Sequence, residues 1–239
     1  MTTTLELPGD VVGYNRYFGW YKDAGSADKF GEWLDYYHAE KEKRPICISE
    51  YGGGGAISQH KDNVDWENEI DPWGERHYEN YQSQMHEKIW AQFAERKYLW
   101  AQFIWCMFDF ASDGRQEGDT KGQNDKGLVT RERIPKDAHF FYKTIWGKEK
   151  TVYITERRHN PRPYRVPYVK VYSNAEKVEL SVNGVSVGTI SKKSLPKNSN
   201  TVFLWENIMI EKNRENNILV TAEFDDGCVK FDTVTWIGQ

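Results

Sequence analysis

The readable pattern begins with Val11-Val12-Gly13-Tyr14-Asn15, a short apolar strand that runs into the aromatic stretch Arg16 to Tyr21. Asp28 then stands where a helix N-cap belongs, and Phe30, Trp33, Leu34 and Tyr37 follow at the i, i+3, i+4, i+7 spacing of one helix face. The charged run Glu40 to Arg44 carries no such stripe, and Pro45 marks the break before a second strand ending at Glu50. A second helix is predicted over roughly 75–97, with Tyr78, Tyr81, Met85, Ile89 and Phe93 along one side. Leu99 to Met107 reads as a third strand that opens into the polar loop Asp109 to Asp125, and a last helix is predicted over about 136–146. Strand alternating with helix is the rhythm of a parallel α/β sheet, in which the loops at the carboxyl ends of the strands hold the chemistry.

The texture changes after Gly147. Arg157 to Pro163 is a loop. Short β-rich runs follow at Lys170–Ser173, 178–182, 185–189, 201–205, 218–224 and 229–235, with hairpin signals at Asn183-Gly184 and Asp226-Gly227. The expected organisation is an α/β unit over 1–147, a linker over 148–167 and an all-β unit over 168–239. An immunoglobulin-like β-sandwich fits the last, because about seven short strands need two sheets to bury their inner faces.

Composition narrows the function. A net charge of -4 with no long Lys/Arg block argues against an electrostatic nucleic-acid partner. No apolar run reaches membrane length, and Met1 is followed by Thr-Thr-Thr rather than a basic start and an apolar core, so no signal peptide is readable. Cys47, Cys106 and Cys228 are an odd set without CxxC spacing and are expected to be unpaired. The six histidines show no metal-type spacing. The acidic residues Asp109, Asp113, Glu117, Asp119 and Asp125 match no calcium-loop pattern and are expected to form a solvated loop face. Neither a metal nor a cofactor is expected. The ten Trp and fourteen Tyr serve core packing first, although an aromatic cleft also suits the flat C–H faces of a sugar.

Glu50 carries the strongest chemical signal. It ends the apolar run Ile46-Cys47-Ile48-Ser49 and is followed by Tyr51 and the glycines 52 to 55, so a rigid strand delivers a carboxylate into a loop expected to leave room for a ligand. His60, farther along that loop, is expected at the surface.

Four ordered segments carry a resemblance: Asn15-Arg16-Tyr17-Phe18-Gly19-Trp20-Tyr21, Ile48-Ser49-Glu50-Tyr51-Gly52, Phe103 to Phe110, and Gly118-Asp119-Thr120 followed by Asn124 to Val129. Together they resemble the carboxyl-terminal part of glycoside hydrolase family 2, which includes β-galactosidases and β-glucuronidases. The resemblance spans roughly residues 10 to 146 and is weaker after 165. It implies the last three strand–helix units of a (β/α)8 TIM barrel, with Glu50 as the nucleophile of a retaining mechanism that passes through a covalent glycosyl-enzyme. It further implies that Tyr17 orients Glu50, that Asn15 lines the substrate pocket and that Trp105 floors the sugar. Asn124 and Lys126 match an Asn-x-Lys pair that binds the substrate carboxylate in β-glucuronidases. The same string also resembles that of members assigned to β-galactosides, which is the substrate expected first, with a glucuronide next and a non-catalytic carbohydrate-binding or assembly role as a different class. Cys106 departs from the Asn that many relatives carry after this Trp.

Eight strand–helix units make a full barrel of this kind, and three are readable here. The chain therefore reads as a fragment that needs the amino-terminal part of the barrel. The strand expected to bring the general acid/base as an Asn-Glu pair is not found: Glu67-Asn68-Glu69 falls in a loop and Glu79-Asn80 on a helix. Open sheet edges invite association, with a homo-oligomer among the expected states.

Overall fold

In the computed structural model, residues 9–239 are described; the threonine-rich start lies outside them. Three parallel strands, β1 (Val12–Asn15), β2 (Ile46–Tyr51) and β3 (Leu99–Ile104), form one sheet in the order β1-β2-β3. The connections carry α1 (Phe30–Glu40), the short α2 (Trp66–Glu69) and α3 (Glu79–Phe93). The predicted stripes do face the core: Phe30 and Leu34 of α1, and Tyr81, Met85, Ile89 and Phe93 of α3, are buried in one cluster with Ile46, Ile48 and Tyr51 of β2. Each such side chain contributes on the order of 1.5–3 kcal/mol when fully withdrawn from water.

Several boundaries differ from expectation, each for a local reason. Asp28 is not the cap of α1. Ala27–Lys29 form a 3-10 turn, Lys29 holds the N-cap position without a side-chain bond, and the Asp28 carboxylate instead pairs with Lys88 at 3.2 Å. α3 starts four residues later than predicted because His77 and Tyr78 are extended, with the His77 carbonyl accepting from Ala56 N at 2.7 Å. β3 stops at Ile104, after which the chain leaves β2 and pairs with the segment beyond Asp125: Cys106 N donates to Lys126 O at 3.1 Å and Leu128 N to Cys106 O at 3.0 Å. The polar loop contains its own two-stranded hairpin, β4 (Phe110–Ala111) with β5 (Gln123–Asn124).

Helix α4 (Asp137–Trp146) packs on α3 and leads into two antiparallel sheets. One has the order β10-β7-β6, from β6 (Val152–Ile154), β7 (Arg165–Ser173) and β10 (Val202–Met209). The other has the order β12-β11-β8-β9, from β8 (Lys177–Val182), β9 (Val185–Ser191), β11 (Glu215–Glu223) and β12 (Val229–Ile237). Both sheets contribute to one core that includes Val169, Val171, Leu180, Phe203, Val220 and Trp236. The stretch expected as a linker thus supplies β6, which pairs with β7 through Tyr153↔Tyr172, together with the first residues of β7.

The two units share a polar seam. Asp137, the first residue of α4, accepts from Tyr153 Oη at 2.8 Å and from Glu156 N at 2.7 Å. Glu79, the first residue of α3, accepts from Arg158 Nη1 at 2.7 Å, and its other oxygen meets His60 Nε2 at 2.9 Å. His60 therefore sits in this seam with its side chain largely buried, not at the surface as expected. Glu87 receives Lys170 Nζ at 2.6 Å and the Tyr172 hydroxyl.

Candidate functional site

Parallel register brings the carboxyl ends of all three strands to one rim. Asn15 of β1 lies opposite Glu50 of β2, and Trp105 follows β3 with its N–H donating to Tyr51 O at 2.8 Å. On that rim the Tyr17 hydroxyl donates to Glu50 Oε2 at 2.6 Å, and Ser49 Oγ donates to Asn15 Oδ1 at 2.8 Å. Burial, reinforced by the Glu50 carboxylate, pushes the Tyr17 phenol far above its ordinary value, so it remains a proton donor to Glu50. A short charge-assisted bond of this kind fixes the carboxylate rotamer and leaves Glu50 Oε1 for chemistry. Glu50 is half-buried and Trp105 is 36% exposed, its ring edge-on to Phe110 at 5.9 Å.

The glycine run after Glu50 does not form the roomy loop expected of it. Gly52 to Gly55 are all buried, and a Cβ at any of them would overlap a neighbour: Trp105 O, Trp20, Asp125 Oδ1 and Gln82 in turn. These residues are glycines because backbone and side chains approach too closely for anything larger. Gln82 Nε2 donates to Gly53 O at 2.8 Å and to Gly127 O at 3.2 Å, tying this loop to the one that carries Asn124 and Lys126.

Residues 123–130 of that second loop are all buried. Asn124 Oδ1 accepts from Lys126 N at 3.0 Å. Lys126 is 1% exposed, and its Nζ has no hydrogen-bond partner; it lies 5.4 Å from the Trp20 ring centre and 5.3 Å from that of Tyr21. Tyr21 in turn packs edge-on to Tyr17 at 5.3 Å and stacks on Trp73, which links the ammonium to the Glu50 rim. An unpaired buried cation is costly, and two aromatic faces offset only part of that cost. Cys106, between the two loops, has its thiol pushed up to about 11 by burial and by Asp109, and donates it to Phe108 O at 3.2 Å.

The expected solvated acidic face is overturned for three of its five members. Asp109, Glu117 and Asp125 are buried, and each has found a partner: Lys136 Nζ at 2.8 Å, Arg115 Nη1 at 2.6 Å and His77 Nδ1 at 2.7 Å respectively. Only Asp113 and Asp119 are exposed. Burial lifts the Asp109 carboxyl to about 6 against the pull of Lys136; burial also works against the Asp125 carboxylate, but His77 wins and holds it below its ordinary value. His77 and Lys136 escaped sequence reasoning because their partners, Asp125 and Asp109, are far away along the chain. The one local signal, for Lys136 alone, was the density of charge around 109–136.

Among the described residues one group of metal-type ligands comes together, Asp62, Glu156 and His159 in the seam between the units. The guanidinium of Arg162 already fills its middle, bonded to Glu156 Oε2 at 2.5 Å and to His159 Nδ1 at 2.7 Å. No helix among the described residues is long and apolar enough to cross a membrane.

Comparison with known proteins gives this geometry its context. The family model of glycosyl hydrolases family 2, TIM barrel domain, matches residues 7–151, and a domain of unknown function, DUF4982, matches residues 165–212. A β-glucuronidase of Bacteroides fragilis is 39% identical over 221 residues, which is 91% of this chain and 30% of that protein. The structure of an FMN-binding β-glucuronidase from Faecalibacterium prausnitzii L2-6 superimposes over 100% of this chain and 33% of its own, with a TM-score of 0.84 and 34% identity. A Bacteroides fragilis protein provisionally named a β-galactosidase does so over 96% of this chain and 33% of its own, with a TM-score of 0.85 and 26% identity. The chain thus spans about a third of the length of these relatives. With more than half of its residues matched by the barrel-domain model, the chain belongs to glycosyl hydrolase family 2.

Proposed function

We propose that this chain is the nucleophile-bearing part of a retaining β-glucuronidase. In this reading β1 to β3 with their helices are the last three strand–helix units of a (β/α)8 barrel, and the two antiparallel sheets are an immunoglobulin-like β-sandwich. Glu50 Oε1 attacks the anomeric carbon, the bond to the leaving oxygen breaks, and the resulting ester is hydrolysed by water with overall retention. Tyr17 holds the carboxylate for that attack. The leaving oxygen needs a proton from a second carboxyl group about 5 Å away, supplied by barrel strands that another stretch of polypeptide brings to the open edge of β1.

The observation that carries the sugar is Lys126. A buried ammonium without a hydrogen-bond partner, next to Asn124 and linked to the Glu50 rim through Tyr21, suits an anionic substituent on the sugar better than a neutral hydroxymethyl group. The names of several relatives point the same way, which moves the reading from galactosides, expected first from sequence, to glucuronides. A terminal β-galactoside remains the second reading, favoured by the structural likeness to the protein provisionally named a β-galactosidase.

The test is a chimera in which this chain replaces the matching segment of the Bacteroides fragilis relative, exposed to a cyclophellitol-6-carboxylate aziridine and to its uncharged counterpart. Peptide mass spectrometry is expected to find the acidic reagent on Glu50. Label on another residue overturns the mechanism, and preference for the uncharged reagent overturns the sugar.

A further inference from the structure

Behind Lys126 lies a buried polar unit that the proposed chemistry does not use. Asp125 is 3% exposed, and its Oδ2 meets Nδ1 of the fully buried His77 at 2.7 Å, while the other ring nitrogen of His77 is 3.0 Å from Asp71 O. Glycines flank the carboxylate on two sides: a Cβ on Gly54 or on Gly118 would overlap it. The Asp125 main-chain carbonyl accepts from Gly55 N at 3.1 Å and from Lys136 Nζ at 2.8 Å.

Withdrawing a carboxylate from water is expensive, and an apolar side chain of the same volume would fill this space at lower cost. What the carboxylate adds is a fixed position. Its neighbours in sequence are Asn124 and Lys126; its neighbours in space, Gly54 and Gly55, follow the Glu50 strand end. The wedge therefore joins the loop holding the ammonium to the loop holding the nucleophile, and it does so through groups that contact neither reacting atom. We propose that Asp125, gripped by His77, is a positioning residue that sets the separation of the Lys126 ammonium from Glu50 and so the preference for sugar acids over neutral sugars. This rests on the glucuronide reading above for the identity of the sugar, and on the wedge alone for the placement of Lys126.

Two variants test it in the chimera: Asp125→Ala, which removes the wedge, and His77→Phe, which keeps a ring packed against Trp20 but removes the grip. In both, KM for an aryl glucuronide is expected to rise about tenfold with kcat within about twofold, while kcat/KM for the matching neutral glucoside stays within about threefold. Equal loss on both substrates means a merely structural role and overturns the proposal, as does no change on either. A second measurement needs no turnover: acetylation of the isolated chain, read by peptide mass spectrometry, compares Lys126 with the exposed Lys121. Lys126 is expected to be protected in the unaltered chain and to become reactive in Asp125→Ala. Unchanged protection overturns the positioning role whichever sugar the enzyme takes, whereas a wild-type chimera that prefers galactosides overturns only the glucuronide reading.

Discussion

The two halves of the chain bury their apolar residues very differently. In the second unit the inner faces of two sheets meet, and Val169, Val171, Leu180, Phe203, Ile218 and Val220 are all fully enclosed. In the first, the helical side of the parallel sheet is packed, but Trp100, Phe103, Trp105, Met107, Phe108 and Phe110 on and after β3 remain exposed. A sheet covered on one side and bare along its edge leaves apolar surface in water, and it is the half that carries Glu50. Here the proposed nucleophile sits on the half with the bare edge, and the closed half packs against it.

The largest expected effect concerns the proposed chemistry on the bare-edged side. Glu50→Gln in the chimera is expected to lower kcat on an aryl glycoside by about three orders of magnitude or more, with an unchanged circular dichroism spectrum; retained turnover would remove Glu50 from the mechanism. Next comes packing, with one residue type placed in both halves. Phe203→Ala in the closed core should cost about 3–5 kcal/mol of unfolding free energy in urea. If it costs no more than a surface change, the second unit is not the closed half.

The seam between the halves should show in pH dependence. Burial, then the charge of Glu79, push the Asp137 carboxyl up to about 7. Because the folded value lies above the unfolded one of about 4, the folded chain holds the proton more tightly; that contribution is fully present below about pH 4 and is lost as pH rises through about 7. The Tm of the isolated chain is therefore expected to fall between pH 4 and pH 8, and Asp137→Asn to flatten the fall. An identical slope in the variant would break the assignment. Smallest of all is Phe103→Ala on the exposed strand, expected to change stability by no more than about 0.5 kcal/mol while weakening any self-association seen by sedimentation.

Legibility in the sequence followed the range of the forces involved. Helix α1 and the core face of α3 were readable because their stripes repeat within a few residues. The Glu50–Tyr17 pair was readable because two short motifs fix both partners. The glycines 52 to 55 were misread as a roomy loop because what crowds them, Trp20, Gln82, Trp105 and Asp125, comes from both sides along the chain. The acidic residues 109, 117 and 125 were misread for a related reason: charge density is visible in a sequence, but the distant His77 and Lys136 that satisfy two of them are not. β6 was absorbed into a linker because three residues show no period, and only pairing with β7 makes them a strand.

The seam also limits how such chains can be rearranged. Tyr153, Glu156 and Arg158 from one half donate to Asp137 and Glu79, the opening residues of the two helices that back the Glu50 strand. A recombination event that broke the gene near Gly147 would take from Asp137 both of the donors named above, while Glu79 would keep only His60 and the Asp137 N–H. The stretch from β1 to β12 is accordingly expected to tolerate exchange as one block better than exchange in two pieces.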